Sequence, residues 1–153
     1  MLLQFALIPV MMMVFVHAIP IEERGLKDTL VKATGKYTGK ATFFHPDDSG
    51  SIGSCGRREG DHSLYVALNL PQYGNENAVS EWCFKKILIK FGDKATEATI
   101  GDACPGCKPK SLDLTPEVFE KLAPTNTGVI DISWCVIGEK GCTGGGSGKA
   151  SAS

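Results

Sequence analysis

Two cysteines and two aspartates fall close together in the stretch 102–113. Asp102 precedes the tetrad Cys-Pro-Gly-Cys at 104–107, and Asp113 follows it. Thiols at this spacing serve as a redox pair, as zinc ligands or as a disulfide. A thioredoxin-like pair would open a helix between parallel strands, and a zinc ribbon would need a second pair of the same spacing. The sequence has neither pattern, which favours a structural disulfide and leaves the two carboxylates as candidate ligand-binding groups.

The N-terminal stretch 2–16 is almost wholly apolar and carries no charge. It is short for a membrane span, and Val16 and Ala18 supply small residues at the −3 and −1 positions of a signal-peptidase site. We therefore predict a signal peptide at 1–18 and an extracellular protein, with a retained signal anchor as the alternative. An even number of cysteines in a small exported chain predicts a disulfide framework; the six are Cys55, Cys83, Cys104, Cys107, Cys135 and Cys142.

Composition divides the rest of the chain into three parts. Residues 19–35 are polar and predict a pro-segment or a flexible lead-in, and the sequence leaves open whether they are cleaved. Residues 36–142 form the predicted domain, and the Gly/Ser-rich stretch 143–153 predicts a disordered tail. The formal net charge of −1 gives no basic stripe for nucleic acid. We expect a monomer that binds neither nucleic acid nor, after signal removal, a membrane.

Apolar and polar residues alternate in four runs, at 37–43, 64–70, 86–91 and 130–136. A period of two predicts strands with one buried face. Turn residues separate the runs at 71–74, at 92–93 and at Gly101. Five or six short strands with one or two small helices fit a compact β-barrel better than a sandwich.

One segment predicts a helix. Thr115 is suited to the N-cap and Pro116 to the first helical position. Apolar residues then recur at helical spacing up to Leu122, and Pro124 ends the segment. A helix this short should depend on packing against the sheet.

Five short motifs, found in family order over residues 39–136, resemble those of secreted double-psi β-barrel domains. The chain is similar to the rare-lipoprotein-A-like (RlpA-like), barwin-like and expansin-like superfamily, in its single-domain fungal type. This resemblance implies a mainly β fold, a six-stranded double-psi β-barrel stapled by disulfides. The motifs are Gly39-Lys40-Ala41-Thr42-Phe43-Phe44, Ser54-Cys55-Gly56, Leu64-Tyr65-Val66-Ala67-Leu68-Asn69 with Gln72-Tyr73-Gly74, Gly101-Asp102-Ala103-Cys104-Pro105-Gly106-Cys107, and Leu112-Asp113-Leu114-Thr115-Pro116-Glu117-Val118-Phe119.

The same resemblance implies one disulfide, Cys55–Cys104, as in barwin-type barrels. We complete the expected set with Cys83–Cys107 and Cys135–Cys142. A Cys83–Cys135 bridge is the rival pairing.

The resemblance also points to a ligand site. Asp113 matches the general acid of family 45 endoglucanases and an aspartate in the groove of expansins, while Asp102 and Thr42 match two further groove residues. Inverting glycosidases need a second carboxylate as base, but the family 45 base position is occupied here by His45, with Asp47 and Asp48 displaced into a turn. Hydrolysis is therefore not expected. In the structural alternative, Asp113 caps the following helix and Asp102 holds the 101–107 turn.

Aromatic side chains stack on the apolar faces of sugars, whereas most aromatics of a small domain pack in its core. Phe43 and Trp134 share the parity of core residues. Phe44, on the opposite parity, and Trp82, in a polar loop, are the surface candidates.

We expect a protein that binds cell-wall polysaccharide weakly without hydrolysing it, using Asp113, Asp102, Thr42, Phe44, Trp82 and His45. One alternative is a secreted protein ligand, such as a cysteine-protease inhibitor or host-interaction protein, that uses loops 49–61 or 69–82. Another is a glycosidase or lytic transglycosylase acting through Asp113. No cofactor is expected, and no metal site, because the histidines and nearby aspartates show no repeated ligand spacing. The sequence does not name the glycan or the protein partner.

Overall fold

A computed structural model describes residues 35–49 and 52–142. The predicted signal peptide at 1–18, the lead-in up to residue 34 and the tail at 143–153 lie outside the described residues. The strands are β1 (Tyr37–Phe43), β2 (Tyr65–Asn69), β3 (Lys86–Phe91), β4 (Lys94–Cys104), β5 (Leu112–Leu114) and β6 (Ile130–Val136), with helices α1 (Leu70–Tyr73) and α2 (Pro116–Leu122) and 3-10 turns at Pro46–Ser49 and Thr125–Thr127.

The six strands close into a barrel in the order β1-β5-β2-β4-β3-β6. The pairs β1–β5 and β2–β4 are parallel, and the pairings of β5 with β2, β4 with β3, and β3 and β1 with β6 are antiparallel. This closed mainly β architecture with two short helices confirms the predicted fold class. Closure leaves no strand edge of the barrel unpaired, which removes a template for aggregation.

Inward-facing side chains of all six strands and the apolar face of α2 fill the barrel. Alternation holds in β1 and in β6 up to Trp134, where Ala41, Ile132 and Trp134 are buried and the exposed Lys40 and Asp131 face out. It fails in β2 and β3, where consecutive residues are buried. The expectation of one buried face is therefore wrong for these two strands, because other parts of the chain cover their outer side. Leu88, for example, packs with the disulfide-bonded Cys135 and Cys142.

The longest strand, β4, escaped sequence analysis. The predicted turn at Gly101 is wrong, because this glycine lies inside the strand. Ile100 pairs with Val66 and Asp102 with Ala67, so Gly101 is the extra residue of a β-bulge. The extra residue shifts the parity of the inward-facing positions. Ala98 and Ile100 line the core before the bulge, and Ala103 lines it afterwards.

Helix α2 begins at Pro116, as predicted, and Thr115 holds the N-cap position. The expected capping bond is absent, since the Thr115 hydroxyl donates instead to the carbonyls of Ser63 and Tyr65. The helix buries Phe119 and Leu122 completely against the sheet. Packing rather than a side-chain cap therefore fixes its start. In the part of the chain that the structure describes, no helix is long and apolar enough to cross a membrane.

The disulfides correct two of the expected bridges. Cys55 is bonded to Cys83 and not to Cys104, and Cys107 is bonded to Cys104 and not to Cys83. The rival Cys83–Cys135 bridge is also excluded, because Cys135 is bonded to Cys142 as expected. The reason is geometric: Cys104 and Cys107 meet across a tight turn with Cα atoms 5.4 Å apart, within the range that a disulfide spans.

The corrected pairing makes a prediction about stability. Cys55–Cys83 closes a loop of 28 residues, for which loop entropy gives about 3.5 kcal/mol. Replacing both cysteines by alanine should lower the free energy of unfolding by that amount in urea denaturation. The matched control is the double alanine variant of Cys104–Cys107, whose loop of 3 residues gives only about 1.5 kcal/mol. Equal losses in the two variants would contradict the assignment.

Candidate functional site

Four neighbouring strands place one residue each in a continuous row on the outer face of the barrel. Thr42 of β1 pairs with Asp113 of β5, Asp113 pairs with Ala67 of β2, and Ala67 pairs with Asp102 of β4. The row faces away from the core because residues that flank it along the strands lie in the core, namely Ala41, Val66, Leu68, Ala103, Leu112 and Leu114. The sheet thus brings together three of the six predicted site residues, although they are far apart in sequence. We call Thr42, Asp113, Ala67 and Asp102 the carboxylate row.

Asp113 is only partly exposed and has a fixed position. The Thr42 hydroxyl donates to its Oδ1 over 2.6 Å. Burial raises the pKa of the Asp113 carboxyl, and the Asp102 charge raises it further, whereas the bonds from Thr42 and the Leu114 N–H oppose the rise. The expected helix-capping role of Asp113 is not seen, since α2 begins at Pro116 without a side-chain cap. One carboxyl of the row therefore retains its proton more readily than an ordinary aspartate.

Asp102 accepts hydrogen bonds from two backbone N–H groups, as its structural alternative predicted. One of these groups, however, lies outside the expected 101–107 turn. The Asp102 Oδ1 accepts the N–H of Ser54 over 2.7 Å and that of Ala103 over 2.8 Å. The first bond ties residues 52–59 to β4, instead of closing the 101–107 turn. These residues form a small hairpin, with a bridge between Ile52 and Arg58, and we call them the 52–59 hairpin. Asp102 is therefore both a member of the row and the anchor of this hairpin.

A third carboxyl group, which sequence analysis missed, lies behind Asp102. Glu59 is 3% exposed, and its Oε1 has no hydrogen-bond partner. Burial raises its pKa to about 7, and the charge of Asp102 contributes in the same direction. Glu59 lies in the largely charged run Arg57-Arg58-Glu59-Gly60-Asp61, a pattern typical of an exposed loop. Nothing local in the sequence signals its burial.

Two glycines make room for the Glu59 carboxyl. A Cβ at Gly53 would lie 2.8 Å from its Oε1, and a Cβ at Gly101, the bulge residue, would overlap the same oxygen. The ring of Tyr65 closes the space from β2, 2.7 Å from the same hypothetical Cβ of Gly101. Glu59 thus occupies a cavity that exists only because both backbone positions lack side chains.

Phe44 and His45 lie beyond the end of β1, on the Thr42 side. The N–H of Phe44 donates to the Leu114 carbonyl over 3.0 Å, which extends the β1–β5 pairing by one residue. Phe44 is partly exposed and shares the outward parity of Thr42. It is therefore the predicted aromatic that borders the carboxylate row.

The exposed His45 forms its hydrogen bond with Asp61, outside the carboxylate row. Its Nδ1 lies 2.5 Å from Oδ2 of Asp61, and this bond raises the pKa of His45 and lowers that of Asp61. The neighbouring Asp47 is engaged in the same cluster, where its Oδ2 accepts the N–H of Asp61 over 3.3 Å. The position that the resemblance to family 45 endoglucanases assigns to a catalytic base thus carries an imidazole that pairs with a carboxylate.

Trp82 lies near the opposite end of β1 and is part of a packed aromatic cluster. Its ring centroid is 6.1 Å from that of Tyr37 and 6.2 Å from that of Trp134, both in edge-on contacts. The Lys85 Nζ lies 4.6 Å from the Trp82 centroid. This packing separates Trp82 from the carboxylate row and favours a role in closing the barrel end.

Among the described residues, the acidic side chains do not cluster as metal ligands. Residues 35–49 and 52–142 contain no group of three or more His, Cys, Asp or Glu side chains arranged to hold a metal ion.

The chain is similar to proteins of known name, although no family model matches it. It is 31% identical over 86 residues to the Allergen Asp f 7 homolog of Arthroderma benhamiae, a match that covers 56% of this chain and 28% of that protein. It is 27% identical over 103 residues to the Papain inhibitor of Streptomyces mobaraensis, covering 65% and 70% of the two chains. The chain thus spans less than a third of the length of the allergen homolog.

Solved structures establish the type of barrel. The Streptomyces papain inhibitor superposes with a TM-score of 0.57 at 24% identity, covering 65% of this chain and 94% of the inhibitor. A Clavibacter michiganensis expansin in complex with cellohexaose superposes with a TM-score of 0.56 at 26% identity, covering 66% of this chain and 50% of the expansin. Both have double-psi β-barrel folds, and this chain shares that fold.

Glu59 predicts a specific pH dependence of stability. Its pKa rises from 4.5 to about 7 on folding, so the folded state holds an extra proton between these values. The stabilisation is complete below pH 4.5 and is lost as the pH rises through about 7, a change of roughly 2 kcal/mol after allowance for solvent screening. Urea denaturation of the wild type and of Glu59→Gln across this range measures the difference. The gap between the two proteins should depend on pH, and a constant gap would contradict the buried proton.

Proposed function

We propose that the protein is an extracellular, rare-lipoprotein-A-like domain that binds cell-wall polysaccharide without hydrolysing it. The observation that carries this proposal is the carboxylate row, with Asp113 and Asp102 on either side of Ala67 on the outer face of the sheet. Two strand spacings separate the two backbones, which is about 10 Å. Ala67, which is 3% exposed, lies between the two carboxyls and contributes only a methyl side chain there.

Carboxylates on a shallow surface are suited to sugar hydroxyls, which donate hydrogen bonds that strengthen when the acceptor is charged. Thr42 fixes the orientation of Asp113 through their bond, so less rotamer freedom is lost on binding. Phe44, on the same side as Thr42, offers a ring face for a pyranose. His45 lies at the Thr42 end of the row. The packing of Trp82 against other aromatic rings gives it a structural role instead.

The same geometry disfavours hydrolysis through this row. An inverting glycosidase needs one carboxyl as acid and a second, free carboxylate as base. The raised pKa of Asp113 suits an acid, but Asp102 is committed to two backbone N–H groups. The pairing of His45 with Asp61 supplies no base at the other end.

Two further features agree with the proposal. Three disulfides and no free cysteine among the described residues are typical of proteins outside the reducing cytosol, in line with the predicted signal peptide. The expansin that shares the fold over half of its length was solved in complex with cellohexaose, which supports a glucan as the ligand class to test. We infer a monomer with a weak, one-domain binding surface.

The proposal predicts the effect of neutralising the row. Asp113→Asn keeps the side-chain shape but removes the charge, and it should weaken retention on insoluble cellulose, chitin or β-glucan by about tenfold, the value of one charge-assisted hydrogen bond. Depletion of the protein from solution measures this affinity. Asp93→Asn is the matched control, since Asp93 is an exposed residue of the β3–β4 turn.

Three results would overturn this function. The first is failure of the wild type to bind any of the three polymers, and the second is equal binding by Asp113→Asn. The third is release of reducing sugar by the wild type that disappears in Asp113→Asn, which would instead establish the glycosidase or lytic reading.

A second candidate function, protein binding, is favoured by an exposed apolar patch next to the 52–59 hairpin. Phe84 is 46% exposed and has φ of 65°, a left-handed conformation that costs a residue other than glycine of order 1 kcal/mol or more. The Arg57 guanidinium lies 5.6 Å from the Phe84 ring centroid, and Ile52 of the same hairpin is 67% exposed. The Cys55–Cys83 disulfide holds these two loops together.

Strained backbone that displays an exposed aromatic group is typical of functional sites. Ile52 and Arg57 lie in the loop 49–61 that sequence analysis proposed for protein contact, whereas Phe84 follows the other proposed loop, 69–82. The likeness to the Papain inhibitor of Streptomyces mobaraensis suggests a cysteine protease as the partner class to test.

Phe84→Gly tests this candidate without strain, because glycine adopts a positive φ freely. We expect about tenfold weaker inhibition of papain, the range of a central aromatic contact, with folding stability unchanged or increased. Titration of protease activity against the purified proteins measures it. Val129→Ala, at an exposed apolar residue before β6, is the control, and inhibition that is absent in the wild type or unaltered in Phe84→Gly would reject the patch.

A further inference from the structure

The buried carboxyl of Glu59 has no role in the binding surface described above. It lies behind Asp102, it is almost wholly buried, and one of its oxygens has no partner. A buried polar atom without a hydrogen bond costs free energy. The cost is far greater for a carboxylate than for a neutral carboxylic acid. The cavity between Gly53 and Gly101 therefore suits the protonated form of Glu59.

The same cavity lies under the contacts that hold Asp102. The Ser54 N–H donates to Asp102, and the Cys55 N–H donates to the Gly101 carbonyl over 3.0 Å. Gly53, Ser54 and Cys55 belong to the hairpin that Glu59 ends. If the Glu59 side chain leaves its cavity, the hairpin moves away from β4, and the bond that orients Asp102 is lost with it.

Charges around Glu59 reinforce this coupling. From β4 it faces the Asp102 carboxylate, which opposes a second negative charge. From β2 it faces the ring of Tyr65, which packs at Gly101. On its own hairpin, the Arg57 guanidinium lies over Phe84, and the nearby Asp61 is bonded to His45. None of these contacts supplies a cation to a Glu59 carboxylate.

We propose that protonated Glu59 is a positioning residue for Asp102: it seats the 52–59 hairpin on β4, and loss of its proton unseats the hairpin and weakens polysaccharide binding. This inference rests on the proposed function for its effect on binding, but not for its effect on the hairpin. Under this proposal, Asp102 is held in its binding orientation at mildly acidic pH and is no longer held there at alkaline pH.

The movement of the hairpin is tested without a ligand. In the labelled wild-type protein, the NMR shifts of the Ser54 and Ala103 amides should titrate together with the Glu59 carboxyl carbon, with a midpoint near 7. In Glu59→Gln the two amides should not titrate in this range. Should Glu59→Gln fail to fold, Asp102→Asn serves instead: removal of the Asp102 charge should shift the Glu59 midpoint to lower pH. Titration of Glu59 at the ordinary value of a glutamate, or amides that do not follow it, would overturn the inference.

The effect on binding is tested with the same variant. Retention of the wild type on insoluble polysaccharide should fall about tenfold from mildly acidic to mildly alkaline pH, the value of one charge-assisted bond. Glu59→Gln should match the wild type in acid and lose the decline. Glu76→Gln removes the same charge from an exposed loop and should retain the wild-type profile. A Glu59→Gln protein with the full wild-type decline would refute the positioning role.

The two proposals fail in different ways. A wild type that binds no polysaccharide at any pH, but whose Ser54 and Ala103 amides follow Glu59, overturns the proposed function and leaves the hairpin mechanism intact. Binding that requires Asp113 yet shows no dependence on Glu59 overturns the inference and leaves the function intact.

Discussion

The single extra residue in β4 is the constraint on which the site depends. Without the bulge at Gly101, strict alternation after Ile100 would turn Asp102 towards the barrel interior. The bulge instead places Asp102 opposite Ala67 on the outer face and returns Ala103 to the core. It also provides the backbone without a side chain against which Glu59 packs. One glycine thus sets the direction of one carboxyl and the burial of another.

Three carboxyl groups in one region repel each other, and each is accommodated by a different means. Asp102 accepts two backbone N–H groups, Asp113 accepts the Thr42 hydroxyl, and Glu59 is buried where its neutral form is favoured. Environments that separate the pKa values of neighbouring acids are typical of functional surfaces. An arrangement selected only for stability would place apolar side chains at these positions, because buried charges contribute little to folding.

The sequence predicts the barrel because most of its strands follow simple rules. Alternation identified β1 and β6, and the helix-start residues Thr115 and Pro116 located α2. It could not identify β4, because the bulge at Gly101 interrupts the alternation and because the apolar positions there are mostly alanines. The resemblance grouped Thr42, Asp113 and Asp102, because their motifs match groove residues of expansins, and the strand register places the three in one row. The burial of Glu59 could not be predicted, because it depends on Gly101, which is distant in sequence, as well as on the nearby Gly53.

The disulfide pairing is a second feature that the sequence did not predict correctly. Resemblance to barwin-type barrels implied a bridge from Cys55 to Cys104, but the chain closes Cys104 on Cys107 and leaves Cys55 for Cys83. This exchange has a structural consequence. The disulfide now joins the 52–59 hairpin to the loop before β3, where Phe84 is displayed.

The 52–59 hairpin is therefore held from two sides. Asp102 and Glu59 fix it to the sheet beside the carboxylate row, and Cys55 fixes it to the loop that carries Phe84. Tyr73 supports the second attachment, because its hydroxyl donates to the Ala78 carbonyl over 3.0 Å and lies 3.4 Å from the Cys83 sulfur. If the hairpin shifts at β4 as proposed, we expect the Cys55–Cys83 disulfide to carry that shift to the surface around Arg57 and Phe84. One small element thus connects the two proposed binding surfaces.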